Sequence, residues 1–332
     1  KRRHQVLYSG CAAGSTGHTT HTGEAVPVFG EQDGRLIHRS GGEVLWIEPW
    51  GCDALRVRAT RCAEMPQRDW ALLKQDAADA AIEIGPGGAS IQNGRICARI
   101  SEAGKLSFYR ADGTLLLEEF VRNRREHSEF ASALDLEARE FKPILGGDYE
   151  LTMRFESNPG ERLYGMGQYQ QPFLNLKGCQ LELAQRNSQA SVPFVLSSLG
   201  YGLLWHNPAV GRASFAHNVT EWYARSTDVL DYWITAGDNP DQIERAYARA
   251  TGTAPMMPDF AMGFWQCKLR YQTQDELMAV AREYHRRGVP VSVIVADFFH
   301  WTCQGDWKFD ERFWPDPEGM IRELEAMGMK LM

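Results

Sequence analysis

Apolar and polar positions change their pattern near Pro255. Beyond it, Gly263-Phe-Trp-Gln-Cys-Lys-Leu-Arg-Tyr271 and Val293-Ile-Val-Ala-Asp-Phe-Phe-His-Trp301 each read as a buried strand with an aromatic and charged C-terminal end. Between them, Thr273-Gln-Asp-Glu276 is a capping box. Leu277, Val280, Ala281 and Tyr284 follow at helical spacing, Arg286 and Arg287 place positive charge at the negative end of the dipole, and Gly288 supplies a left-handed stop. Val289-Pro-Val-Ser-Val-Ile-Val-Ala296 is apolar on both parities, which predicts a strand covered on both faces. A second helix is announced by Asp316-Pro317, continues through Met320, Ile321, Leu324 and Met327, and stops at Gly328. Met329-Lys-Leu-Met332 opens a further strand. Strands alternating with helices predict a parallel α/β arrangement, whose chemistry collects at the carboxyl ends of the strands.

The residues before Pro255 read differently. Short alternating or aromatic-rich runs at 44–48, 54–59, 91–100, 105–110, 114–118, 149–155, 192–196, 202–206 and 229–235 are separated by Gly, Asp, Asn and Pro, the spacing of an antiparallel sandwich. In Leu55-Arg-Val-Arg-Ala59 the arginines alternate with apolar residues, which predicts one wet face and one packed face. An anion site is the other reading of that Arg-x-Arg. Asn239-Pro-Asp-Gln-Ile-Glu-Arg-Ala-Tyr-Ala-Arg-Ala-Thr251 reads as a capped helix, and Thr253-Ala-Pro-Met-Met-Pro258 as a stiff connector. The division is therefore a β-sandwich over 1–254 and the beginning of a (β/α)8 TIM barrel over 255–332. An eightfold barrel needs about 250 residues, so the barrel is expected to be incomplete in this chain.

Composition narrows the function classes. A chain of 332 residues exceeds the usual size of one core. Net charge is −7, with no basic run beyond Lys1-Arg-Arg3, which argues against a nucleic-acid partner, and no stretch has the length of a membrane span. Seven cysteines without CxxC or framework spacing read as reduced thiols in a cytoplasmic setting, unless a leader preceding Lys1 directs the protein to the periplasm. His18-Thr-Thr-His21 lacks an evident third ligand, so no metal is expected. Gly85-Pro-Gly-Gly88 lacks the lysine and helix of a phosphate loop and reads as a turn. Asn218-Val-Thr220 fits a glycosylation sequon, which the thiols argue against using.

The two barrel runs, with Gln304-Gly-Asp-Trp-Lys-Phe-Asp310 and Trp314-Pro-Asp-Pro317, resemble the first part of the catalytic barrel of glycoside hydrolase family 31, most closely its bacterial and archaeal α-xylosidases. Ile47-Glu-Pro-Trp-Gly51, Glu161-Arg-Leu-Tyr-Gly-Met-Gly-Gln168 and Gly200-Tyr-Gly-Leu-Leu-Trp-His-Asn207 resemble that family's N-terminal sandwich. The resemblance implies a retaining, exo-acting α-glycosidase that works without a cofactor on a carbohydrate substrate and uses two carboxylates. It leaves homo-oligomerisation of the intact protein open. It places the nucleophile and the acid/base on later strands, beyond Met332, so no residue here is assigned as catalytic.

Asp297 matches the family's substrate-binding aspartate at the end of the second strand, where a carboxylate can accept two sugar O–H bonds. Its plainer reading is a helix or turn cap. Arg270, Phe298, His300 and Trp301 are the other substrate-binding candidates, while Phe264 and Trp265 are expected in the core of the first strand. Asp306, Asp310 and Glu311 are read as loop carboxylates and Asp316 as a helix cap. The segment Gln168-Tyr-Gln-Gln-Pro-Phe-Leu-Asn175 is a further candidate for the aglycone side. The leading activity is release of terminal α-xylose. An α-glucosidase or α-transglycosylase of the same family and a non-catalytic carbohydrate-binding module are the alternatives.

Overall fold

The computed structural model describes residues 28–76, 78–125, 132–298 and 300–332. They form two compact units, one ending at Thr253 and one starting at Ala254. The pair of histidines at 18 and 21 lies outside the described residues.

The first unit is built from antiparallel sheets. Eight strands pair in the order Phe29–Gln32, Arg35–Ser40, Glu43–Pro49, Ala54–Thr60, Leu230–Ala236, Tyr201–Trp205, Ala190–Ser197, Leu163–Gln168. A five-stranded meander runs from Ala81–Gly85 through Gly88–Asn93, Ile96–Ser101 and Leu106–Arg110 to Leu115–Glu118. A second five-stranded sheet is ordered Arg139–Pro143, Tyr149–Phe155, Thr220–Thr227, Gly211–Phe215, Gln180–Leu183. One buried apolar cluster draws on all three sheets, with Leu55 and Val57 from the first, Ile91 and Phe108 from the second, and Leu151 and Trp222 from the third. Tyr232 marks their junction. Its ring meets Phe108 edge-on at 6.2 Å and Phe155 at 5.8 Å, so a single aromatic ties the large sheet to both smaller ones.

Two sequence expectations are corrected here. The run at 91–100 is a hairpin, because Gly94-Arg95 makes the turn between two strands that pair Asn93 with Ile96. Gly94 has φ +57, and a Cβ there would lie 2.2 Å from Asp53 Oδ1, so both backbone and space favour glycine. The second correction concerns the face carrying Arg56 and Arg58. Their alternation with Leu55, Val57 and Ala59 is correct, yet the two side chains are 1% and 4% exposed. The reason is a second cover. Segment 66–69 lies over the two arginines, with Pro66 and Gln67 on Arg58 and Arg68 and Asp69 on Arg56. Beside it Leu72 and helix Pro240–Thr251 pack on the same face, forming a separate cluster with Ala54, Phe194, Leu204 and Trp233.

Beneath that cover the charges pair. Arg56 donates to Asp231 at 3.0 and 2.6 Å and to Asp69 at 2.6 Å, and Arg58 donates to Glu48 at 2.5 Å. His206 Nε2 lies 3.0 and 2.9 Å from the backbone N–H groups of Trp70 and Ala71, which can only donate. Nδ1 therefore carries the proton and donates to Asp231 Oδ2 at 3.0 Å. The segment 69–71 is thus stapled over the sheet by side chains that sequence alternation alone assigns to water.

The second unit holds three parallel strands, Trp265–Gln266, Val293–Ile294 and Lys330–Leu331, in that order. Helices Gln274–Arg286 and Pro317–Ala326 connect them. Thr273 caps the first helix by accepting from Glu276 N, while Glu276 reaches back to the N–H of Gln272, one residue before the cap. Asp316 caps the second through Gly319 N. Gly288 and Gly328 take φ +65 and +79 at the helix ends. Tyr271, Leu277, Ala281, Ile294, Trp314 and Leu324 form the core of this unit. Phe264 and Trp265 do not join it as expected. They are 48% and 40% exposed, because their strand borders a single neighbour in this sheet.

Arg56→Ala should cost about 3–5 kcal/mol in denaturant titration of the full-length protein, since it strands Asp231 in a dry site. A solvated position would cost under ~0.5 kcal/mol. His38 supplies a pH test. Burial, and then the Arg139 guanidinium, hold its imidazole down at about 4. The unfolded chain, with an ordinary value near 6.5, then binds more protons between those limits. Stability contributed by the neutral imidazole is fully present above pH ~6.5 and is lost as pH falls toward about 4. His38→Phe, which keeps an aromatic beside Phe29, should flatten the fall of Tm with acid in that window.

Candidate functional site

Parallel α/β units place reactive side chains where strands end, and here the strand ends are also where the backbone is strained. Arg270 follows the first strand with φ +98, and Asp297 follows the second with φ +62. A left-handed conformation costs a non-glycine residue about 1–2 kcal/mol. Asp297 offsets part of this by folding its carboxylate back, so that Oδ1 accepts from Phe298 N–H at 2.8 Å.

Two further groups contact the same residue, His300 on one side and Cys267 on the other. The carbonyl of Asp297 accepts from His300 Nδ1 at 2.6 Å, which assigns a proton to that nitrogen and in the neutral ring leaves Nε2 as an acceptor. The His300 ring packs edge-on against Trp301 at 4.8 Å and tilted against Phe309 at 5.1 Å, and Phe309 leads on to the buried Trp314 at 5.4 Å. The carbonyl of His300 accepts from Asp310 N–H at 2.7 Å, binding the following loop to this corner. On the other side Cys267 Sγ lies 3.7 Å from Asp297 Oδ2.

The structure thus gathers Asp297, His300 and Trp301 around one strand end, with Phe298 half-buried beside them. Arg270 stands at the end of the neighbouring strand, three residues beyond Cys267, and is also half-buried. Gln266 braces that strand end by donating to Tyr271 Oη at 3.0 Å and accepting from Tyr284 Oη at 2.8 Å.

The other carboxylates have local work. Asp316 is the helix cap, and Asp310 accepts from the Arg312 guanidinium at 3.0 and 2.6 Å, which holds its carboxyl below the usual range. Glu311 is exposed, and Asp306 closes a turn onto the Cys303 carbonyl. In the first unit, Phe173 and Leu174 of the segment proposed for the aglycone side are 60% and 81% exposed. Gly85-Pro-Gly-Gly88 is the turn of a hairpin.

Cys267 is the residue that sequence reasoning missed. The signal was present, because Cys267 directly follows the two paired residues of the first strand, and the parallel register sets Gln266 against Ile294, three positions before Asp297. Among the described residues, no group of three or more His, Cys, Asp or Glu side chains forms a metal cluster. No helix among them is long and apolar enough to cross a membrane.

Comparison with known proteins gives the site its context. Residues 44–212 match the profile of the glycosyl hydrolase 31 N-terminal galactose mutarotase-like domain, and residues 254–332 match the glycosyl hydrolases family 31 TIM-barrel domain. The chain is 56% identical over 299 residues to an uncharacterized family 31 glucosidase of Pseudescherichia vulneris, covering 87% of this chain and 56% of that protein. It is 31% identical over 331 residues to α-xylosidase A of Aspergillus niger, covering 93% of this chain and 44% of that protein. A crystal structure of a family 31 α-xylosidase from a soil metagenome, complexed with xylose, superimposes with a TM-score of 0.84 at 59% identity, covering 92% of this chain and 46% of that one. The chain therefore spans about half the length of these relatives. With a family domain matched over each of its two units, the chain belongs to glycoside hydrolase family 31.

Proposed function

We infer that the full-length protein is a retaining, exo-acting α-xylosidase that releases terminal α-xylose from oligosaccharides. The observation that carries this reading is the 59% identity, over 92% of this chain, to a family 31 α-xylosidase complexed with xylose. The geometry is consistent with it. A carboxylate at a strand end, fixed through its own backbone and both oxygens, presents remaining lone pairs to sugar hydroxyls without the entropy loss of ordering on arrival. Phe298 and Trp301 supply ring surface for the C–H face of a sugar, Arg270 supplies donors from the neighbouring strand, and His300 offers Nε2 as an acceptor. On this reading the nucleophile and the acid/base are supplied by later strands of the barrel. One carboxylate attacks the anomeric carbon to form a glycosyl-enzyme, while the other protonates the leaving oxygen and then activates water.

An α-glucosidase is the second reading, favoured by the name of the 56% identical relative. The two sugars differ by a hydroxymethyl group at C5. A difference of that size is worth about 1–3 kcal/mol in a fitted pocket.

Aryl α-xyloside and α-glucoside hydrolysis by the full-length enzyme separates the readings, a clear preference for the glucoside deciding for the second. Asp297→Ala should lower kcat/KM about a hundredfold, close to 3 kcal/mol of transition-state stabilisation, with little change in Tm. Asp297→Gly should be as inactive and more stable than the alanine variant by about 1 kcal/mol, since glycine accepts φ +62 without strain. If Asp297 is only a turn cap, both variants lose stability and keep their kinetics.

A further inference from the structure

We propose that Cys267 is a positioning residue whose thiol sets the orientation of the Asp297 carboxylate. The inference rests on the reading of Asp297 as the sugar-gripping group. The thiol has one proton and two acceptors within reach, the Lys268 carbonyl at 3.6 Å and Asp297 Oδ2 at 3.7 Å. An ionised carboxylate is the stronger acceptor. With Oδ1 taking the Phe298 N–H at 2.8 Å, the carboxylate is tethered at both oxygens. Two of its roughly four lone-pair directions are used, and two remain for hydroxyls.

The tether joins adjacent strands. Cys267 belongs to the end of the first strand and Asp297 to the end of the second, and both backbones beyond the paired residues enter left-handed conformations, at Arg270 and Asp297. A thiol at this point links the ends of the two strands through a neutral donor. The neighbouring Lys268 is turned away to Glu276 Oε1 at 2.5 Å and lies 5.8 Å from the centre of the Tyr271 ring. Asp297 is the charged group that acts on the sulfur, with Arg270 three residues further along the same strand end. Cys267 is exposed, and the partial desolvation of its thiol pushes it up, as do the charge and hydrogen bond of the Asp297 carboxylate. The sulfur thus stays protonated and able to donate, so its assigned part is structural alignment of a binding group and involves no nucleophilic step.

Two measurements on the full-length enzyme test this. The first is alkylation of Cys267 by iodoacetamide, followed by peptide mass analysis across pH. Asp297→Asn should move the midpoint of the rate profile to lower pH and speed labelling several-fold at pH 8, while the exposed Cys52 and Cys303 label as in wild type. An unchanged midpoint overturns the contact, and a change in limiting rate alone reports access instead of coupling. The second is steady-state kinetics on aryl α-xyloside. Cys267→Ala should lower kcat/KM about tenfold with Tm unchanged, and Cys267→Ser should recover part of the loss. Wild-type kinetics in Cys267→Ala, or a loss matched by a fall in Tm, overturns the positioning role. If the wild-type enzyme hydrolyses no α-glycoside, the proposed function fails, and the alkylation profile still decides whether thiol and carboxylate are coupled.

Discussion

The ion pair between Arg56 and Asp231 is the constraint around which the larger unit is arranged. Both residues sit on central neighbouring strands of the eight-stranded sheet, on the face turned away from the main core. Leaving them in water would have been cheap. Instead helix Pro240–Thr251 and the segment around Leu72 close over that face, and a dry guanidinium and carboxylate must then find every partner within the protein. They find them in Asp69, the Arg68 carbonyl and His206, so the cover is attached by the same charges it buries. Removing one member would leave the rest uncompensated, which makes the network a strong determinant of this one arrangement even though its net contribution to stability is modest.

Unit by unit, polar interactions serve different ends. In the sandwich, buried charges such as Glu119 with Arg139, and Glu161 with Ser197, Tyr201 and Lys177, tie distant strands together. In the second unit the helix-surface charges pair in the open, as Arg282 does with Glu323 at 2.6 and 2.8 Å, and contribute little. Its polar precision is concentrated at the strand ends. There the backbone of Asp297 is held in an unfavourable conformation by a hydrogen bond at each oxygen of the residue that can accept one.

Much of this was legible in the sequence, for identifiable reasons. Thr273-Gln-Asp-Glu276 and Asp316-Pro317 carry their helix starts in a few adjacent residues, and local chemistry of that kind survives translation into structure. Strand parity at Arg56 and Arg58 was equally legible, because it depends only on alternation. What covers a strand face is not local. Arg56 is buried by Asp231, 175 positions further along the chain, and by Arg68 and Asp69 of an irregular segment that follows its own strand, and nothing in Leu-Arg-Val-Arg-Ala announces either. The hairpin turn at Gly94-Arg95 was locally encoded, and the apolar residues on either side masked it. At the candidate site, Asp297 stood out as an acid emerging from an aliphatic strand. Cys267 did not, since its meaning arises only when two strands separated by a helix lie side by side.

This geometry also bears on how a sugar could be told apart. On the proposed reading, Asp297 grips hydroxyls that xylose and glucose share, so its tethers sharpen affinity for both. A rigid acceptor left unpaired by a sugar lacking those hydroxyls penalises that sugar heavily, whereas one extra hydroxymethyl changes only how a pocket wall is filled. The strand ends described here therefore suit the choice of sugar class. The choice between members of that class falls to whatever surrounds C5, where shape and not hydrogen bonding separates the two.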